Sequence, residues 1–218
     1  MEPTETPGVF RKGRDLYTIN AVPGERVYGE ELVREGGVEY RRWDPFRSKL
    51  SAYLLKGASG PTFEGARSLL YLGGSHGTTV SHLADLLPDA AIFVIEKSPL
   101  SFGPLLALAK RRPNLLPILA DAQLPERYAA DVGVVDWLYQ DVSQRSQARI
   151  FSENAGACLR RGGRGLLMLK VRSVSQSRSA ASILAEARAD LARRDLEPGK
   201  AVDLVPFSRE HLVVPVRS

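Results

Sequence analysis

Tyr71-Leu-Gly-Gly-Ser-His-Gly-Thr-Thr-Val-Ser-His82 decides how this chain is read. An apolar run, Ser68-Leu-Leu-Tyr-Leu72, enters a glycine turn, and apolar residues follow at Val80, Leu83, Ala84 and Leu87. That i, i+3, i+4, i+7 spacing marks one buried helical face. The segment is therefore a strand, a tight turn and a helix. Glycine lets a backbone approach a ligand closely, and a helix N-terminus offers unpaired N–H groups. A cofactor-binding turn at the end of a first parallel strand follows from that arrangement; a ligand-free strand-to-helix turn is the competing reading.

The spacing narrows the ligand. A dinucleotide turn needs Gly at its first, third and sixth places, but from Gly73 those places hold Gly73, Ser75 and Thr78. A P-loop needs Lys after its last Gly, and Gly77 is followed by Thr78. S-adenosylmethionine, with a carboxylate, a ribose and an adenine but no pyrophosphate, suits what remains.

Outward from this turn, strands and helices alternate. Strands are expected at 68–72, 91–95, 115–119, 133–139 and 165–170, and helices at 78–87, 99–111, 144–160 and 179–194, with Gly162-Gly163 stopping the third helix. This is the pattern of a parallel α/β sheet. The closing runs Val202–Val205 and His211–Val216 are joined by too few residues for a parallel crossover, so an antiparallel strand is expected near the C-terminus. Before the turn, short β-prone runs at 8–11, 16–19, 27–28 and 38–43, punctuated by Pro23-Gly24 and Gly36-Gly37, predict a small antiparallel sheet. A helix beginning at Asp44-Pro45, with Asp44 as N-cap, carries Phe46, Leu50, Tyr53 and Leu54 on one side. Gly57-Ala-Ser-Gly-Pro61 reads as a linker. The division expected is residues 1–56 as a small β domain with its connecting helix, and 57–218 as the larger domain.

In an open α/β sheet, ligands sit at the carboxyl ends of the strands. Four successive strands end there in charged groups: Glu96, Asp121, Asp141 and Lys170. Glu96, 23 residues past Gly73, is placed to accept ribose hydroxyls and Asp121 to meet the adenine amino group; Asp141 and Lys170 fall nearer the reacting end. Arg41, Arg42, Arg47, Arg145, Arg149, Arg172 and Arg178 flank this rim and are candidates for phosphate contacts. The basic clusters Lys110-Arg-Arg112, Arg160-Arg161 with Arg164, and Arg193-Arg194 are expected at helix ends. Trp43 and Trp137 are expected in the core, and His82 as a packing or capping residue.

Composition sets outer bounds. With 44% apolar residues the chain buries an ordinary globular core. A net charge of +5 permits a nucleic-acid partner without demanding one. The single Cys158 excludes an internal disulfide and, with three scattered His, a zinc site; it is expected in the core. The polar N-terminus lacks an apolar signal region, and no apolar run approaches the roughly 20 residues of a membrane span. A cytoplasmic protein without membrane association is expected.

Several long segments in one order resemble fibrillarin and its archaeal homologues, the box C/D guide-directed 2′-O-methyltransferases: Pro23-Gly-Glu-Arg-Val-Tyr-Gly-Glu30, Tyr40-Arg-Arg-Trp-Asp-Pro-Phe-Arg-Ser-Lys-Leu50, the glycine turn itself, Asp141-Val-Ser-Gln144 and Arg209-Glu-His211. The resemblance implies a seven-stranded Rossmann-like methyltransferase sheet bearing a small N-terminal antiparallel β domain. It implies S-adenosylmethionine held by Gly73, Gly77, Thr78, Thr79, Glu96, Lys97, Asp121, Ala122, Asp141, Val142, Ser143 and Gln144. The catalytic set it implies is Lys49, Asp141, Lys170 and His211, with Asp141 steering Lys170, which serves as base or as stabiliser of the forming alkoxide, and with no metal. Implied partners are a box C/D guide RNA, target rRNA and tRNA, a Nop-domain scaffold protein and a kink-turn-binding ribosomal-type protein. The chain lacks the Gly-Arg-rich N-terminal region of the eukaryotic members, as the archaeal forms do. It departs from the family pattern twice: Lys97 stands where an aromatic residue usually follows the ribose-binding acid, and His76 where the glycine turn usually has a small residue. A methyltransferase with a protein acceptor and a catalytically weakened ribonucleoprotein subunit are the alternative readings.

Overall fold

The computed structural model describes residues 1–57 and 63–218; residues 58–61 of the expected linker lie outside the described residues. Strands β1 (Glu2–Pro3), β2 (Val9–Lys12), β3 (Asp15–Ile19), β4 (Leu32–Glu35) and β5 (Val38–Trp43) form the expected antiparallel sheet, in the order β1-β2-β3-β5-β4. The expected run 27–28 is not one of its strands: the Val27 and Tyr28 N–H groups donate to the Glu30 carboxylate in a turn, and Leu32–Glu35 pairs with β5 instead. Helix α1 (Lys49–Leu55) follows. It starts later than the Asp44-Pro45 signal predicts. Asp44 accepts a hydrogen bond from the Phe46 N–H (2.9 Å), a local turn that competes with helix initiation. Ser48 is the N-cap instead, its Oγ accepting from the Ser51 N–H. Phe46 thereby leaves the helix face and is 67% exposed.

The second part alternates as expected: β6 (Ser68–Leu72), α2 (Thr78–Leu86), β7 (Ala91–Glu96), α3 (Pro99–Ala109), β8 (Leu115–Leu119), α4 (Ala129–Val132), β9 (Val135–Gln140), α5 (Gln147–Cys158), β10 (Leu159–Lys170), α6 (Val171–Val174), α7 (Ala180–Ala192), β11 (Glu197–Pro198), β12 (Val202–Asp203) and β13 (His211–Arg217). The sheet order is β11-β13-β10-β9-β6-β7-β8, with the two-residue β12 also on β13. β6 to β10 run parallel, and β13 pairs antiparallel with β10, Lys170 opposite His211. This is the parallel sheet with an antiparallel strand that the alternation calls for, and the type of sheet that the resemblance implies, with eight strands among the described residues in place of seven because β11 and β12 each add two residues on β13.

Strand alternation assigns side chains to two cores. From β6, Leu70 and Leu72 enter the core beneath α5 and α7, whereas Leu69 and Tyr71 enter the one shared by α1, α2 and α3. Val9, Leu16 and Trp43 of the N-terminal sheet belong to that second core, so the small sheet is docked by apolar burial. Trp43, Trp137 and Cys158 are buried, as expected.

A buried polar cluster lies along the same seam. Arg41, wholly buried, binds Glu30, Ser81 and Asp85, and Arg112 binds Asp85. Arg41 is thus unavailable for phosphate, and Arg112 is not a surface charge at a helix end. Burial raises the Glu30 carboxyl, but Arg41 and the Val27 and Tyr28 N–H groups outweigh it and hold it below the usual carboxylate value. Arg160, Arg161 and Arg164 also differ from expectation: α5 stops at Cys158 and they lie in β10, where Arg160 pairs with Asp136 (2.8 Å). Arg193 does cap α7, donating to the Ala189 carbonyl.

His82 sits inside α2 rather than at a cap, fully buried, its ring stacked on Trp43 at 4.9 Å. Tyr28 Oη donates to the Arg42 carbonyl (3.0 Å) and accepts from His82 Nε2 (2.8 Å); His82 Nδ1 then accepts from Thr18 Oγ1 (2.8 Å). Burial, then the charges of Arg41 and Arg112, push the imidazole far below its usual pKa.

Candidate active site

The glycine turn is shaped by contacts that only glycine permits. Gly73 has φ +88°, and a Cβ there would stand 2.4 Å from the Asp141 carbonyl oxygen. Gly77, at φ +87°, is the N-cap of α2, and its Cβ would meet Leu108 at 2.4 Å. Gly77 is thus explained by packing against α3. The Gly73 and Gly74 N–H groups donate to Ile95, and the Asp141 N–H to Leu72, which brings the ends of β6, β7 and β9 together.

At this edge lies a cleft of about 300 Å³, lined by Gly73, Ser75, Ile95, Glu96, Lys97, Ala120, Ala122, Asp141, Val142, Ser143 and Gln144. Gly77, Thr78, Thr79 and Asp121 are not among its lining residues. Thr79 Oγ1 instead donates to Ser48 Oγ (3.0 Å), tying the start of α2 to the N-cap of α1. Asp121 reaches the cleft through its neighbours: its Oδ1 accepts from Gln144 Nε2 (2.9 Å), and Lys97 Nζ lies 3.8 Å from its Oδ2. Burial raises the Asp121 carboxyl, but the Gln123 N–H, Gln144 and Lys97 overcome it, so the acid stays below its usual value.

Glu96 is buried, and each carboxylate oxygen accepts one backbone N–H, from Ser75 and from Ser98, both at 2.7 Å. Each oxygen keeps a lone pair for a ligand hydroxyl. A rigid carboxylate, apolar walls from Ile95, Ala120 and Val142, and the acceptors around Asp121 match a ribose and an adenine in turn. His76 is exposed and turned to Ser75 Oγ (3.2 Å), outside the cleft lining.

Beside the cleft, Lys49 Nζ donates to Asp141 Oδ2 at 2.7 Å, both side chains about one-fifth exposed. Lys170 and His211 face each other across β10 and β13. The His211 Nδ1–H donates to the Arg209 carbonyl (2.8 Å), with Ser208 Oγ at 3.0 Å, leaving Nε2 as an acceptor. Burial pushes the imidazole below its usual pKa; the ammonium groups of Lys49 and Lys170 add to this, while the Arg209 carbonyl and Asp141 oppose it. The structure therefore brings all four expected residues together, with one difference. Asp141 is paired with Lys49, not Lys170, whose Nζ has no hydrogen-bond or ion-pair partner among the described residues.

Gln147, absent from the sequence reading, holds Lys170 in place. Its side chain accepts from the Lys170 N–H (2.8 Å) and donates to the Lys170 carbonyl (3.2 Å), as a neighbouring strand would. Gln140 Nε2 in turn donates to the Gln147 carbonyl (2.8 Å). Both glutamines are buried. The signal available in sequence was a glutamine at each end of the loop carrying Asp141–Gln144.

The Fibrillarin family model matches residues 2–218. The chain belongs to the fibrillarin family. It is 41% identical to the fibrillarin-like rRNA/tRNA 2′-O-methyltransferase of Methanothermobacter thermautotrophicus over 96% of this chain and 94% of that one. Its structure is similar to Aeropyrum pernix fibrillarin with natively bound S-adenosyl-L-methionine, at TM-score 0.86 and 40% identity over 93% of this chain and 88% of that one. It also matches a fibrillarin in a fibrillarin/Nop5p complex, at TM-score 0.86 and 34% identity over 97% of each chain. Within the fibrillarin fold, the cleft and the Lys49–Asp141 pair occupy the carboxyl edge of the sheet, the ligand edge of open α/β proteins.

Proposed function

We propose that this chain methylates ribose 2′-hydroxyls of rRNA and tRNA with S-adenosylmethionine, directed by a box C/D guide RNA within a particle that includes a Nop-domain scaffold protein and a kink-turn-binding protein. The observation that carries the reading is one continuous edge. A cleft suited to a nucleoside ends at Asp141, and Asp141 joins it to Lys49, Lys170 and His211. Relatives of the same length named as RNA 2′-O-methyltransferases, one fibrillarin with the cofactor bound and one with Nop5p, support it.

Bound S-adenosylmethionine supplies an electrophilic methyl group on a cationic sulfur. The chain supplies the rest. Glu96 and the Asp121–Gln144 pair fix the nucleoside end, which sets where the methyl group points. Asp141 holds Lys49 beside the acceptor. Lys170, with no hydrogen-bond or ion-pair partner for Nζ among the described residues and its backbone clamped by Gln147, stabilises the alkoxide as the 2′-hydroxyl loses its proton. His211 Nε2 is the open acceptor for that proton. Holding the acceptor hydroxyl beside Lys170 and His211 would supply part of the rate, as fixing reacting groups in place does.

The deciding experiment is transfer of labelled methyl to a target RNA in the assembled particle, with the guide RNA present and absent. One methylated 2′-hydroxyl, formed only when the guide is present, is expected. Transfer to protein, or to RNA without a guide, would overturn the reading.

A further inference from the structure

Two aromatic rings lie on the loops that lead to Lys49 and His211 and take no part in the chemistry above. Phe46 and Phe207 meet edge to face, ring centroids 5.4 Å apart, with Phe46 67% exposed. They come from the two loops that deliver catalytic groups. Phe46 lies two residues before Ser48, the cap of the helix that begins with Lys49, and Phe207 adjoins Ser208, which touches His211 Nδ1. Lys56, at the end of the same helix, donates to the Val205 carbonyl (2.8 Å), so the helix is also tied to the loop that carries Phe207.

A charge adjoins each loop. Arg47 lies over the Tyr28 ring at 5.6 Å and Arg209 is exposed; neither has a carboxylate partner among the described residues. By contrast Arg42, Arg149, Arg172 and Arg178, also near the rim, are all paired with acids. An exposed ring on the same two loops as guanidinium groups without a carboxylate partner is a combination that holds a nucleic-acid strand: bases stack on the ring and phosphates meet the cations.

We propose that Phe46 and Phe207, with Arg47 and Arg209, form the surface on which the RNA strand bearing the acceptor ribose lies. A nucleotide flanking the methylated one packs on the open face of Phe46, and Phe207 braces that ring from behind. The surface thereby sets the acceptor hydroxyl beside Lys170 and His211. Two guanidinium groups with no carboxylate partner among the described residues favour a polyanionic strand as the occupant, and a protein segment is the outcome the test must separate from it. The proposal rests on the RNA-methylating reading of the site.

The test compares Phe46→Ala, Phe46→Leu and Phe46→Tyr in the assembled particle with wild type. Phe46→Ala and Phe46→Leu are expected to raise KM for the target RNA about tenfold, the effect of losing one stacked base, while the Kd for S-adenosylmethionine is unchanged. Phe46→Tyr restores KM. Wild-type KM in Phe46→Leu would overturn the proposal, as would a defect of Phe46→Ala confined to scaffold-protein binding. A second readout needs no turnover. In Phe46→Trp the introduced indole is the exposed one, Trp43 and Trp137 being buried, and target RNA should quench it. If wild type transfers no methyl to RNA, the functional reading fails, and absence of this quenching overturns the present proposal separately.

Discussion

Lys170, the residue proposed to stabilise the alkoxide, illustrates how much of a side chain's placement lies outside that side chain. Its Nζ is unpartnered among the described residues, while its backbone N–H and carbonyl are both bound by Gln147. Lys170→Ala should abolish methyl transfer and leave the Kd for S-adenosylmethionine, measured by calorimetry, unchanged. Lys170→Arg separates the two chemical roles. Arginine keeps the charge but cannot act as a base, so residual transfer is expected from a stabiliser and none from a base. Gln147→Met removes the clamp at nearly constant volume. A displacement near 1 Å costs about a hundredfold in rate, so kcat should fall by one to two orders of magnitude while KM for either substrate stays put. Lys97 lines the cleft with its Nζ 3.8 Å from Asp121, at the position where the family pattern has an aromatic residue and where the proposed function places the adenine. Lys97→Tyr should tighten S-adenosylmethionine by about threefold to tenfold, the worth of one aromatic pair. An unchanged Kd would mean that the stem already covers the adenine.

At the scale of elements, α2 links the glycine turn to the N-terminal sheet, and His82 is its polar anchor. Thr18 of β3 and Tyr28 hold both ring nitrogens of a neutral imidazole. Tyr28 itself is pushed up to about 12, chiefly by burial, so it stays a donor through the ordinary pH range. The sign of the pH effect follows from the depressed His82 pKa. The unfolded chain binds a proton at about pH 6.5 that the folded chain refuses. Stability is therefore fully present above that pH and falls as pH drops below it; His211, also depressed, adds in the same direction. Urea unfolding between pH 7.5 and pH 5, above the range of most carboxylates, should show this loss, and His82→Asn should flatten the slope while lowering stability overall. A slope unchanged in His82→Asn would assign the effect elsewhere.

Across the whole molecule, the Arg41–Glu30–Asp85–Arg112 cluster welds the small sheet to α2 and to the end of α3. Its charges balance, so its intact contribution is modest. Deleting one partner strands the others in the interior, which costs about 3–5 kcal/mol. Asp85→Ala should lower unfolding free energy by about that amount and, by loosening the sheet that leads into α1, weaken the Lys49–Asp141 contact and methyl transfer with it. Full activity in a strongly destabilised Asp85→Ala protein would show that Lys49 is placed by α1 alone.

Periodicity and turn chemistry are local, and what depends on them was legible in the chain: the alternation after Ser68, the antiparallel return of β13, the glycine turn, and the acids at the ends of β7, β8 and β9. The family motifs added Lys49 and His211, which no spacing argument links to Asp141 across 92 and 70 residues. What only the tertiary structure decided concerns partners distant in sequence. Asp141 takes Lys49 because α1 begins where β9 ends, and Arg41 is a buried ion-pair partner because β5 packs on α2. Gln147 became a clamp because β10 outruns β9 and leaves the Lys170 backbone without a strand on that side, β13 lying on the other. A sequence states which groups need partners; which partner each one gets is settled by the packing that excludes water from the rest.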